Sequence, residues 1–98
     1  MFSWFDAGTA KEFGSVMARF YIERMPIKSG LNEKQFASKS KQVLEKMERQ
    51  LKNFKQQNRL NTYKIAQMGN TFKWGLKDAG YDDAYVDQLT KWLVAAIK

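Results

Sequence analysis

Positions 44, 47, 51, 54, 58, 61, 65, 68 and 72 follow one another in alternating steps of three and four residues without a break. Such spacing keeps one side of a helix in register over many turns. The series allows one helix of about 50 residues, roughly 70 Å long at about 1.5 Å per residue, or two helices whose connection preserves the phase. The stretch FKQQNRLNTYKI, Phe54 to Ile65, lies in the middle of the series and has neither glycine nor proline. An uninterrupted rod requires a partner chain, because the apolar segments on either side are too short to cover it.

A local signal favours a turn. An Asn or Asp at a helix start is often preceded by one apolar residue and followed four positions later by another, which clamp the entering chain. Leu31, Asn32 and Phe36 fit this pattern, as do Leu60, Asn61 and Ile65, and Tyr81, Asp82 and Val86; Phe5, Asp6 and Ala10 fit it more weakly. In a continuous helix Leu60 and Tyr63 point away from the apolar stripe, whereas a turn gives Leu60 a place to pack. The sequence therefore predicts a turn at Asn58 to Asn61, with Asn58 in the left-handed conformation that closes a helix when glycine is absent.

The other stripes are shorter. Phe13, Val16, Met17, Phe20 and Tyr21 share a face, and Pro26 ends the pattern. Val86, Leu89, Leu93 and Ile97 form the last stripe, and nothing alternates with the period of a strand. The expected fold is all-α: a compact four-helix bundle-like single domain over 1–98, with helices near 7–25, 33–57, 62–79 and 83–97. Gly80 stops the third helix, and the short connections predict mostly antiparallel neighbours. PIKSGLN, residues 26–32, is the loop between the first two helices.

Composition narrows the chemistry. With no cysteine and no histidine, disulfides, thiolate nucleophiles, the usual zinc sites and the commonest general base are absent. No nucleophile has a base in motif spacing, no glycine-rich phosphate loop is present, and Asp78, Asp82, Asp83 and Asp87 are spread over a turn and a helix start. The expectation is a non-enzymatic protein without cofactor, metal or small-molecule substrate. No run approaches the roughly 18 apolar residues of a membrane span, and the opening MFSWFDAG is unlike a secretory signal. These features predict a cytoplasmic protein.

The net charge of +7 is localised. The excess lies between Lys28 and Lys64, where ten basic residues face Glu33, Glu45 and Glu48. On a helical wheel Lys34, Lys41, Lys52 and Arg59 lie within about 20° of one another, close to opposite the apolar stripe, while Lys39, Lys46 and Lys64 fall along one flank. A cationic ridge of this length suits a phosphate backbone. The competing reading is a solvated face, interrupted by Glu45 and Glu48 and laced by Lys41–Glu45 and Glu45–Arg49 pairs. Thirteen lysines against four arginines point to binding with little sequence preference, since base reading favours arginine.

Aromatic residues supply a second surface. Tyr63, Gln67, Asn70 and Trp74 line the side of the third helix opposite its stripe, and Tyr85 and Trp92 widen the apolar face of the fourth. Tyr63, Asn70, Trp74, Tyr85 and Trp92 thus form a candidate interaction surface, because tyrosine and tryptophan combine a large apolar body with one polar handle. The competing reading places the third helix centrally, covered on both sides. Gly69 and Gly75 mark close approach of another helix, and Met17, Met25, Met47 and Met68 fill core gaps.

Three functions from different classes follow. The first is an interaction module that binds an unidentified protein or a second copy of itself through the aromatic faces of helices three and four. The second is a non-specific nucleic-acid binder using the basic face of helix two. The third, and the least favoured, is peripheral membrane association through Phe2, Trp4 and Phe5.

Overall fold

Three of the four helices start where the sequence places a capping side chain. A computed structural model, which describes residues 6–98, contains α1 (Gly8–Arg24), α2 (Glu33–Gln57), α3 (Thr62–Asp78) and α4 (Asp83–Ile97), with no strand among the described residues. Asn32 accepts from the Gln35 backbone N–H at 2.8 Å, and Gln35 Oε1 accepts from the Asn32 N–H at 3.2 Å, a reciprocal box that closes the first turn of α2. Asn61 accepts from the Lys64 N–H at 2.8 Å and Asp82 from the Tyr85 N–H at 3.1 Å. The fourth expected cap is displaced by one residue. Ala7 occupies the cap position of α1 without a side-chain bond, and Asp6 Oδ1 accepts from the Gly8 N–H instead.

The 4,3 series is broken at the predicted place, by a different conformation from the predicted one. Asn58 is extended, at φ −134° and ψ 140°, and among the described residues only Gly30 and Gly80 have positive φ. α2 closes instead through the Asn58 side chain, whose Nδ2 donates to the Phe54 carbonyl at 3.0 Å. Gly80, at φ +97°, stops α3 as expected. The Tyr81 N–H reaches back to the Leu76 carbonyl and the Gly80 N–H to that of Lys77, the paired bonds by which a left-handed residue satisfies the last carbonyls of a helix.

Around the bundle the helices run in the order α1, α3, α4, α2, so that α1 packs on α3 and α2, and α4 on α3 and α2. The backbones of α2 and α3 do not approach each other, which corrects the expectation that a short connection makes these two helices neighbours. The four residues 58–61, of which Asn58 and Asn61 are extended, can reach roughly 13 Å at about 3.3 Å each, the diagonal of a bundle whose neighbouring axes lie about 8–10 Å apart. The stripes of α2 and α3 therefore both face the α1 and α4 pair.

The core holds Met17, Tyr21, Met47, Leu51, Met68, Phe72, Leu76 and Leu93, all fully buried. Met25 is also buried, so the four expected methionines all lie in the core. Gly14 and Gly75 bring α1 and α3 into contact: a Cβ at residue 14 would overlap Thr71 Oγ1 and the Met68 carbonyl, and one at residue 75 would sit 2.8 Å from Ala18 Cβ. Gly69 plays the same part toward Val94 of α4. Thr71 completes the α1–α3 seam by donating to the Lys11 carbonyl at 2.8 Å. Phe13 of α1 stacks on Phe54 of α2 at 4.2 Å, 13° from parallel.

Candidate polyanion-binding surface and aromatic faces

α2 is the least covered element. Only Val43, Met47 and Leu51 of its residues are buried, and every residue from Glu33 to Lys39 is exposed, including Phe36 on the apolar stripe. The first two turns thus lie at the edge of the bundle, where Phe36 sits beside Tyr85.

Lys34, Lys41 and Lys52 are exposed along one line of this helix, and Lys39 and Lys46 are exposed on the opposite flank. From Lys34 to Lys52 the line is roughly 27 Å at about 1.5 Å per residue. Arg49 and Lys55, which the wheel did not single out, are exposed on the same helix; the charge of the whole segment was their only signal in the sequence. None of these α2 cations is in an ion pair among the described residues, and the pair present is Glu23 with Arg24 at 3.7 Å. The expected Lys41–Glu45 and Glu45–Arg49 pairs do not form. Glu45 and Glu48 instead border a shallow groove against Trp92, which Lys41 also lines.

Two members of the expected basic set are displaced by the turn. Arg59 is exposed but lies beyond the end of α2, so the helical register that aligned it with Lys52 does not extend to it. Lys64 is buried, at 5% exposure, and its Nζ donates to the Arg59 carbonyl at 3.4 Å. It ties down the turn and leaves the ridge.

The aromatic set does not form one surface. Trp74 is 52% exposed on the outer face of α3, which overturns the reading of that helix as covered on both sides. Its Nε1 donates to Asn70 Oδ1 at 3.1 Å, and the ammonium groups of Lys77 and Lys73 lie 5.5 and 5.9 Å from its ring, within the range at which a cation is held by an indole face. Tyr63 is half-buried on the same helix. Trp92 faces α2 across the groove lined by Ala37, Ser40 and Leu44.

Tyr85 belongs to a third group, at the end of the bundle where α1 stops and α4 begins. Its ring lies 6.4 Å from that of Tyr21, 6.5 Å from that of Tyr81 and 6.4 Å from that of Phe36. The Tyr21 and Tyr85 hydroxyls are hydrogen-bonded, and the Tyr81 hydroxyl donates to the Met25 carbonyl. Burial, reinforced by the bond to Tyr85, pushes the Tyr21 phenol well above its usual value, and burial raises that of Tyr81. These phenols stay neutral and serve as hydrogen-bonding struts.

The N-terminal aromatics Phe2, Trp4 and Phe5 lie outside the described residues. Among the described residues no helix is long and apolar enough to cross a membrane, and no group of three or more His, Cys, Asp or Glu is placed to hold a metal. No protein-family model, curated protein or solved structure matches this chain.

Proposed function

We propose that this protein is a small non-enzymatic binding module whose partner is nucleic acid, held along the exposed face of α2 without sequence preference. The observation that carries the reading is the row of α2 cations, exposed and without ion pairs among the described residues, on the least covered helix. Salt bridges would have consumed the charge; here it is available to phosphates. Lysine dominates the row, which suits a point-charge contact with a backbone more than a bidentate grip on a base.

Each neutralised phosphate of duplex DNA adds about 0.9 to the slope of log affinity against log salt. Four contacts therefore weaken binding about a hundredfold between roughly 50 and 200 mM salt. Fluorescence anisotropy with labelled mixed-sequence DNA and RNA at these two concentrations tests the proposal. Charge reversal at Lys34, Lys41, Lys52 and Arg59 abolishes the binding while leaving the helical signal and melting intact, because all four side chains are exposed. Unchanged affinity in that variant, or no binding by the parent at low salt, defeats the reading.

A second reading rests on Trp74. A tryptophan 52% exposed, its ring N–H engaged by Asn70, suits the centre of a protein interface by offering a large apolar body at the contact. In this reading Trp74→Ala weakens capture of a protein partner without changing affinity for DNA or RNA.

A further inference from the structure

The three connections between helices are unlike one another. α1 cannot run into α2, because Pro26 follows its end and Gly30 sits at φ +72°. α3 cannot run into α4, because Gly80 at φ +97° turns the chain. The connection between α2 and α3 has neither a proline, a glycine nor a left-handed residue. It is held by the Asn61 cap, the Asn58 bond to Phe54, the Lys64 bond to the Arg59 carbonyl and the partial burial of Leu60. The three bonds lie within the turn, whereas Leu60 packs on the core and shares a pocket with Thr9 and Ala10 of α1; the stripe on either side keeps one phase.

We infer that the chain forms a domain-swapped dimer with a second copy of itself, in which Asn58–Asn61 becomes helical and α2 and α3 join into one helix from Glu33 to Asp78. The pairing keeps every helix contact of the monomer. α1 and α2 of one copy pack on α3 and α4 of the other, so the Gly14–Thr71 and Ala18–Gly75 approaches and the α2–α4 groove form between copies. The backbones of α2 and α3 do not approach each other, and their core side chains, which share one cluster in the monomer, meet between copies in the dimer. The long rod, which one copy's α1 and α4 cannot cover, is covered by those of two. Leu60 opposes the change, since it packs in the turn and faces solvent in the rod; the monomer therefore prevails when dilute and the dimer when concentrated.

The straight helix also changes what the surface presents. At 100° per residue Lys34, Lys41, Lys52, Arg59, Asn70 and Lys77 fall within about 20° of one line, with Trp74 about 40° away. The basic row and the outer face of α3, which lie on opposite sides of the monomer, become one continuous strip.

The test is refolding from urea at roughly 0.5 mM followed by dilution and size-exclusion chromatography with light scattering. A species of twice the monomer mass that persists for hours after dilution is expected, because separating swapped copies requires unfolding. Asn61→Ala removes a cap worth about fivefold in each chain, so it raises the dimerisation constant about twenty-five-fold. Inserting two glycines between Arg59 and Leu60 abolishes the dimer by breaking the rod. In Lys11→Cys/Thr71→Cys protein a short bis-maleimide links two chains in the swapped dimer and closes within one chain otherwise. Monomer alone at every concentration, including in the Asn61→Ala variant, overturns the inference. So does a dimer that dissociates within seconds and carries the link within one chain.

Discussion

Replacing Gly14 by alanine tests the α1–α3 seam on which the fold depends. In an exposed helix interior the change would stabilise by about 1 kcal/mol. Here the added methyl overlaps Thr71 Oγ1 and the Met68 carbonyl oxygen. The threonine can rotate, but the carbonyl belongs to the α3 backbone, so the two helices must part. Opening a packed seam by even 0.5–1 Å forfeits a quarter to a half of the dispersion energy of the atoms that face it, and overpacking of this kind costs about 3 kcal/mol or more. The net expectation is a loss of about 2 kcal/mol, a melting temperature lower by about 8–16 °C in a domain of this size.

The other helical glycines grade the argument. At Gly75 the obstacle is Ala18 Cβ at 2.8 Å, a methyl on a rigid backbone, and at Gly69 it is Val94 Cγ2 at 3.0 Å, the end of a side chain that can shift. Gly75→Ala is therefore close to neutral or destabilising by about 1 kcal/mol, and Gly69→Ala neutral or mildly stabilising. Adding Thr71→Ala to Gly14→Ala recovers only part of the loss, because the carbonyl remains. Urea unfolding followed by far-ultraviolet circular dichroism gives all four values. A Gly14→Ala protein as stable as its parent, or a reversed order among the three glycines, refutes the packing described here.

Of the three tryptophans, Trp74 and Trp92 should separate cleanly. Trp92→Ala opens the α2–α4 groove and costs about 2 kcal/mol, whereas Trp74→Ala changes stability by less than about 0.5 kcal/mol; iodide quenching of the single-tryptophan variants should reach Trp74 far more readily. The tyrosine struts give a pH dependence. A phenol whose folded value is raised contributes full stability below the unfolded value of 10.0 and loses it as the pH climbs toward the folded one. Unfolding free energy should therefore be flat near neutrality and fall above about pH 10, by at most about 1.4 kcal/mol per pH unit for one phenol. Tyr21→Phe should make that fall shallower. Phenolate absorbance that appears fully before unfolding begins would contradict the burial of Tyr21.

The helices and their caps were legible in the sequence because their causes are local. Asn32, Asn61 and Asp82 close the first turns of their own helices, Gly80 ends α3 by its own backbone, and each stripe reports a face that must be buried. The concentration of positive charge on α2 was legible for the same reason. What escaped was set by neighbours distant in sequence. Gly14 carried no signal until Met68 and Thr71 of α3 lay against it. Lys64 and Arg59 matched the basic pattern on a wheel, but the wheel assumes a helix that the turn interrupts. Trp74, Trp92 and Tyr85 read as one aromatic set, yet they face solvent, α2 and the tyrosine cluster respectively. The sequence by itself determined where helices begin and end and where the charge lies, through capping bonds and periodicity that act within a few residues. Only the tertiary structure decided which faces remain open, because exposure depends on the diagonal placement of α2 and α3, and no local interaction encodes it.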